Sequence, residues 1–178
     1  MQKIYSELPN TVALHFSATN KPSATAGSAG PFGAVGAEGT KPGSFIRSLQ
    51  SFKVLTECPI IVVLLFQLYP KFLQSNIPKF MPLIVKALSL QAPPNAYQNH
   101  RAAYVDFIAC QVKTLSFLAY LLRGFAEHLR PYQENIPKYA IQLLTNCPNE
   151  SASIRKELMI ATRHILATGM LNSLQRYP

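Results

Sequence analysis

The sequence predicts an all-α fold in which helical hairpins stack side by side as an α-solenoid. From Ser44 onward apolar residues recur at helical spacing, and no stretch shows strand alternation bounded by hairpin turns. A short motif also recurs, as Gln74–Phe80 (QSNIPKF) and Gln133–Tyr139 (QENIPKY). Repeated helix boundaries of this kind are typical of solenoids, in which each helical pair buries one face on the next.

Composition favours one folded, intracellular domain with a partly covered surface. The chain has 178 residues, 48% of them apolar, which excludes wholesale disorder. Only 14% are charged, so much of the surface is expected to be neutral or covered by another protein. The net charge of +9 suggests an acidic partner. Three cysteines, an odd number, favour a reducing compartment over a disulfide framework.

The apolar runs are too short to predict a membrane span. The N-terminus lacks the apolar core of a signal peptide. The longest apolar run, Ile60–Phe66, is far shorter than the roughly 20 residues that cross a bilayer. We therefore expect a soluble intracellular protein with no membrane contact.

Residues 1–44 differ from the rest of the chain. Residues 1–16 are predicted to be a partial helical element, with one turn through Ile4, Tyr5 and Leu8 that ends at Pro9. Residues 17–44 hold six of the eight glycines. Such a segment buries too little apolar area to offset its ordering entropy. It is therefore expected to be a disordered, flexible Gly/Ser/Pro-rich linker.

Residues 45–168 are predicted to form the helical repeats, with proline, serine and glycine as helix boundaries. The first helix is expected to begin after Ser44 and to stop at Cys58–Pro59. The second should run to Gln74, and Pro70 is expected to kink it or to end it about a turn early. Four more helices are expected, over residues 78–90, 101–130, 136–146 and 151–168, the last capped by Ser151 and ended by Gly169.

A second repeated motif supports the hairpin arrangement. Thr56-Glu57-Cys58-Pro59 is repeated as Thr145-Asn146-Cys147-Pro148. The first motif would join the two helices of a hairpin, and this second one would join successive hairpins. The units are uneven in length, as they are in HEAT repeats.

Catalytic and metal-binding patterns are absent from the sequence. The four histidines are scattered, and none falls with a cysteine or carboxylate at metal-ligand spacing. The glycines of residues 27–43 follow no strand and precede no Gly-Lys-Ser/Thr, so they do not form a phosphate-binding loop. We therefore expect no enzyme activity, no metal and no cofactor.

One polar stripe on the long fourth helix is the candidate contact surface. Asp106, Lys113, Tyr120 and Glu127 recur every seven residues opposite an apolar stripe. The residues predicted to contact a partner are Lys113, Tyr120, Arg123, Glu127 and Arg130. A solvated face of a scaffold is the alternative interpretation. A groove for nucleic acid is less favoured because the basic residues do not cluster.

Three ordered blocks resemble a known family. The blocks are Ser51–Val63, Gln111–Arg123 and Ile154–Leu158. They are similar to the N-terminal HEAT region of the pseudokinase scaffolds within the phosphatidylinositol-3-kinase-related kinase family, and the resemblance covers roughly residues 44–168. After Thr168 the sequence departs from the family's usual pattern, so residues 169–178 are expected to be a divergent tail.

The resemblance implies a nuclear scaffold of histone acetyltransferase coactivator complexes of the SAGA and NuA4/TIP60 kinds. Such a subunit receives transcription activators and serves in transcription regulation and DNA repair. Its kinase-like domain, which has lost its catalytic residues, lies far outside a segment of this kind. The expected partners are subunits of these complexes and activators. The alternatives are another HEAT-type adaptor for protein–protein interaction or, less favoured, a basic nucleic-acid-binding helical module.

Overall fold

A computed structural model describes residues 2–17 and 51–168. Nearly all of the predicted linker, the expected Ser44 cap, Gly169 and the divergent tail lie outside these residues. Every regular element in the described ranges is helical, with no strand among them, as the sequence predicts.

The described helices follow the predicted order along the chain. Two short helices come first, α1 (Gln2–Ser6) and α2 (Leu8–His15). The others are α3 (Phe52–Leu68), α4 (Pro70–Gln74), α5 (Ile77–Ser89), α6 (Ala96–Asn99), α7 (Arg101–Leu129), α8 (Asn135–Asn146) and α9 (Ala152–Ala167), with a 3₁₀ turn at Arg130–Tyr132.

The longer helices form two layers, the arrangement of an α-solenoid. Helix α7 packs between α3 and α9, and these three helices make one layer. Helix α5 contacts both α1 and α8, which places these helices in the other layer. The apolar stripe of α7 lies between the layers, and the layers bury one continuous core.

Helix α7 is apolar because it is the central helix of this core. The segment Arg101–Tyr132 is the one helix of the described residues that is long and apolar enough to cross a membrane by length and composition. However, 67% of its most apolar stretch is buried inside the fold. Its side chains at Leu115, Leu118 and Leu121 have no exposed surface. Core burial against α3, α5 and α9 accounts for the composition.

Polar side chains of α7 join the two layers. Gln111 is buried, and its Nε2 donates to the carbonyl oxygens of Ala87 at 3.0 Å and Leu90 at 2.8 Å. These carbonyls lie at the end of α5, where helical partners run out. The Tyr5 hydroxyl lies 3.3 Å from the Thr114 hydroxyl. Each contact satisfies a polar group that burial would otherwise leave unpaired.

The expected stop at Cys58–Pro59 is wrong. Helix α3 begins at Phe52, where the Ser51 hydroxyl accepts from the backbone N–H of Lys53 at 3.3 Å, and it continues through Pro59 to Leu68. A proline inside a helix removes one backbone hydrogen bond, at a cost of about 3 kcal/mol. Pro59 and its neighbour Cys58 are buried, and burial of this face offsets that cost.

Pro9 does not end a helix as expected. It lies in the first turn of α2, where a missing N–H has no helical partner to lose. Pro70 does end the second predicted helix early, because α3 stops at Leu68 and Pro70 begins α4. Ser151 precedes α9, but its side chain makes no capping hydrogen bond.

Candidate partner-binding groove

A groove crosses the layer formed by α3, α7 and α9. It consists of two adjoining cavities of about 300 and 200 Å³, which share Ser116, Tyr120 and Glu157. The first lies between α7 and α9, and the second lies between α3 and α7. The three sequence blocks behind the resemblance therefore meet in one surface feature, although they are far apart along the chain.

The middle of the groove is electrically neutral. The Lys113 ammonium lies 2.8 Å from the Glu157 carboxylate, and each side chain is only 31% exposed. The Ser116 hydroxyl donates to the other carboxylate oxygen at 3.1 Å. Partial burial strengthens such a pair relative to a fully solvated one, and the hydroxyl fixes the carboxylate's orientation.

One end of the groove carries positive charge. The Arg123 guanidinium on α7 donates to Nδ1 of His164 on α9 at 3.4 Å. Among the described residues no carboxylate lies within ion-pair distance of Arg123. Tyr120 lines the same cavity. An anionic group of a ligand would find an uncompensated arginine there, with a histidine beside it.

The walls of the groove are apolar and unusually exposed. Ile60 and Leu64 of α3 are 45% and 53% exposed, and Ile160 of α9 is 49% exposed. These side chains line the two cavities around the polar residues. Apolar walls with a few directed polar groups suit a protein segment, which gains affinity from burial and orientation from the polar contacts.

The structure brings together three of the five predicted contact residues. Lys113, Tyr120 and Arg123 line the groove. Glu127 and Arg130 are exposed, but they line neither cavity. They follow Phe125, whose φ of −136° and ψ of 33° break the helical geometry of α7. The break ends the regular spacing that placed all five residues on one stripe.

Sequence reasoning missed the contribution of α9. Glu157, Ile160 and His164 recur at intervals of three and four residues, which places them on one helical face. That spacing could have indicated a second stripe. What it could not indicate is that this stripe faces the stripe of α7, because only tertiary packing pairs the two helices.

A second polar cluster lies between α6 and the loop before α9. The Tyr97 hydroxyl donates to the Glu150 carboxylate, and the Arg101 guanidinium lies 2.7 Å from the same carboxylate. The hydrogen bond from Tyr97 is the largest cause that lowers the pKa of Glu150, and Arg101 adds to it. The same hydrogen bond raises the pKa of Tyr97. This cluster lies at the surface and joins α6 and the start of α7 to the loop before α9.

The cysteines have the properties of core residues. Cys58, Cys110 and Cys147 are free and buried. Burial raises the pKa of all three thiols, that of Cys110 to about 12, so each stays protonated and weakly nucleophilic at neutral pH. No group of three metal-ligating side chains occurs within the described ranges.

Comparison with known proteins gives a consistent set of matches. Residues 103–175 match the family model described as the Tra1 HEAT repeat central region, whereas the resemblance pointed to an N-terminal region. "Probable transcription-associated protein 1" of Dictyostelium discoideum is 55% identical over 127 residues, which cover 71% of this chain and 3% of that protein. Human "Transformation/transcription domain-associated protein" is 46% identical over 129 residues, with coverage of 71% and 3%.

A third relative matches almost the whole chain. The "SAGA complex/NuA4 acetyltransferase complex subunit Tra1" of Schizosaccharomyces pombe is 36% identical over 187 residues, which cover 95% of this chain and 5% of that protein. The chain thus spans only 3–5% of the length of these relatives. No solved structure matches it. The helical layers and these matches agree, and the chain belongs to the Tra1 family of transcription-associated proteins, of whose HEAT-repeat region it carries a part.

Proposed function

We propose that this chain is a non-catalytic scaffold segment of a transcription coactivator subunit in histone acetyltransferase complexes of the SAGA and NuA4/TIP60 kinds. The observation that carries this proposal is the 36% identity, over 95% of the chain, with a relative named as a subunit of both complexes. The segment would act in the nucleus by surface contact. Its roles would be transcription regulation and DNA repair.

The groove supports a function in protein contact. It combines exposed apolar side chains with a neutral ion pair and an uncompensated arginine. Its partners would be other subunits of the complex and transcription activators. A scaffold needs such surfaces and no reactive group, which agrees with the buried, protonated thiol of Cys110.

A nucleic-acid groove has less support. Two of the basic side chains, Lys113 and Arg101, already pair with the carboxylates of Glu157 and Glu150. Neutralised cations release few counterions on binding a phosphate backbone. The segment is therefore proposed to contact protein.

The same family resemblance extends the proposal to the whole protein. We infer that the full-length protein carries a kinase-like domain without catalytic residues, outside the segment described here. The segment would then contribute reach and contact surface to the complex, and the chemistry would belong to the acetyltransferase subunits.

A capture experiment with matched variants tests the scaffold function. Tagged wild-type chain is incubated with nuclear extract, and bound proteins are quantified by mass spectrometry. We expect acetyltransferase-complex subunits to be recovered by wild type and by Arg130→Glu, and to fall at least fivefold with Arg123→Glu. Both variants reverse the charge of an exposed arginine, one on α7 and one in the 3₁₀ turn that follows it, but only Arg123 lines the groove.

Two results would contradict the proposal. Recovery of chaperones alone would show that this segment does not dock as a scaffold. Equal recovery of the subunits by Arg123→Glu and Arg130→Glu would remove the groove from the contact surface.

A further inference from the structure

We propose that the groove between α3, α7 and α9 binds an amphipathic segment of a partner protein that carries a phosphorylated serine or threonine. This inference rests on the proposed scaffold function, since it names the chemistry of the partner at the same groove. Three features of the groove carry it: its length, its charge and its apolar walls.

The length of the groove fits about three turns of helix. Lys113 lines the cavity between α3 and α7, and Arg123 lines the cavity between α7 and α9, ten positions further along α7. A helix rises about 1.5 Å per residue, so the lined stretch is about 15 Å long. A partner helix of roughly ten residues would span it and present one face to both cavities.

The charge of the groove fits an anionic group at one end. Glu157 is the acid that lines both cavities, and it is already neutralised by Lys113. His164 lies seven positions after Glu157 on α9, about 10 Å along the helix. The Arg123–His164 end is thus separated from the carboxylate. It holds one fixed positive charge, the Arg123 guanidinium, which donates to the His164 imidazole.

A phosphoryl group fits this end better than a carboxylate. It carries a charge of about −1.5 to −2 and three acceptor oxygens. Arg123 approaches from α7 and His164 from α9, and Tyr120, which carries a hydroxyl donor, lines the same cavity. A carboxylate, with one charge and two oxygens, is satisfied by the guanidinium fork alone. Three donor groups on two helices match three oxygens.

The apolar walls define the rest of the ligand. Ile160 lies one turn before His164 on α9, and Ile60 and Leu64 border the part of the groove near Lys113. The partner segment therefore needs apolar side chains at helical spacing, beginning about one turn from its phosphorylated residue. Without those side chains a phosphate alone would leave the apolar walls in water.

Peptide binding tests the inference directly. The probe is a synthetic library of twelve-residue peptides with leucine or isoleucine at helical spacing and one phosphoserine. Matched libraries carry serine or aspartate at the same position. Binding to the full chain is measured by fluorescence anisotropy. We expect the phosphoserine set to bind at least tenfold more tightly than the serine set and at least threefold more tightly than the aspartate set.

Variants of the chain locate the phosphate. Arg123→Gln and Arg123→Glu should each abolish the preference for phosphoserine, and Arg130→Glu should retain it. Circular dichroism confirms that the variants keep the helical content of wild type. Ile160→Asp should weaken the binding of all three peptide libraries by a similar factor, because it alters the apolar wall and leaves the cationic end in place.

Specific outcomes overturn the inference. Equal affinity for phosphoserine and serine, or for phosphoserine and aspartate, would exclude phosphate recognition. Retention of the preference in Arg123→Gln would place it elsewhere on the chain. If phosphatase treatment of nuclear extract leaves the recovery of acetyltransferase subunits unchanged while phosphoserine is not preferred, the phosphate inference fails and the scaffold function stands. If the wild-type chain recovers no acetyltransferase subunits from untreated extract, that result would instead contradict the scaffold function.

Discussion

One face of helix α7 is buried in the core, and another face lines the open groove. On the face toward α5, Gln111 and Leu118 are buried, and the amide of Gln111 completes the end of α5. On the face between α3 and α9, Lys113, Tyr120 and Arg123 line an open groove. Polar residues occur on both faces. What separates a structural polar group from a candidate contact group is whether a neighbouring helix closes over it.

The largest expected effect is on the closed face. Leu118→Ala should lower the free energy of unfolding by about 2–5 kcal/mol, because Leu118 has no exposed surface and its truncation leaves a cavity. Leu64→Ala, at a groove position that is 53% exposed, should change it by about 0.5 kcal/mol or less. Urea unfolding followed by circular dichroism checks both. Similar losses for the two variants would contradict the distinction between the faces.

The polar contact of the closed face comes next. Gln111→Met keeps the side chain's volume but leaves the carbonyls of Ala87 and Leu90 without their donor. Unsatisfied buried carbonyls should lower the free energy of unfolding by about 1–3 kcal/mol. Gln67→Met, at an exposed position of α3, is the control and should have little effect. Equal stability of Gln111→Met and wild type in urea would show that the amide does not join the layers.

On the groove face, the ion pair between Lys113 and Glu157 should contribute less to the free energy of unfolding than the buried contacts do. A double-mutant cycle with Lys113→Met and Glu157→Gln should give a coupling free energy of about 0.5 kcal/mol, since both side chains are only partly exposed. The pair Arg101–Glu150, whose side chains are 64% and 43% exposed, should couple more weakly. Thermal or urea unfolding of the four proteins in each cycle measures the coupling. A stronger coupling for the exposed pair would reverse the comparison.

The smallest effect concerns acid stability at the exposed loop cluster. The Tyr97 hydroxyl and the Arg101 guanidinium lower the pKa of Glu150. A carboxylate whose pKa is lowered by folding stabilises the fold above its unfolded pKa, and this contribution is lost as pH falls through the folded pKa. Glu150→Gln should therefore flatten the fall of the thermal midpoint between neutral pH and about pH 3. An unchanged slope would mean that the cluster does not stabilise the fold.

Much of the helical order could be predicted from the sequence because proline and asparagine act locally. The repeated Asn-Ile-Pro motif precedes or opens both α5 and α8, and Pro70 ends α3 early. Pro59 was misjudged for the opposite reason. Whether a helix continues through a proline depends on how much buried contact holds it, and that contact comes from α7, which lies far away in sequence.

The candidate site could be predicted only in part. Helical spacing placed Lys113, Tyr120 and Arg123 on one side of α7, and the structure places all three in the groove. The same spacing also predicted Glu127 and Arg130. These two residues lie outside the groove because the helical geometry of α7 breaks at Phe125. Periodicity assumes an unbroken helix, so it could not register a change in backbone direction near the end of α7.

The sequence by itself determined the all-α class, the helix boundaries at the two Asn-Ile-Pro motifs and the family, because each depends on short-range pattern or on identity of residues. Tertiary structure alone decided which stripes face each other. It set Glu157 against Lys113 and His164 against Arg123, 44 and 41 positions apart in the chain. The physical reason is that a groove is formed by the space between packed helices, and that space depends on all three of them at once.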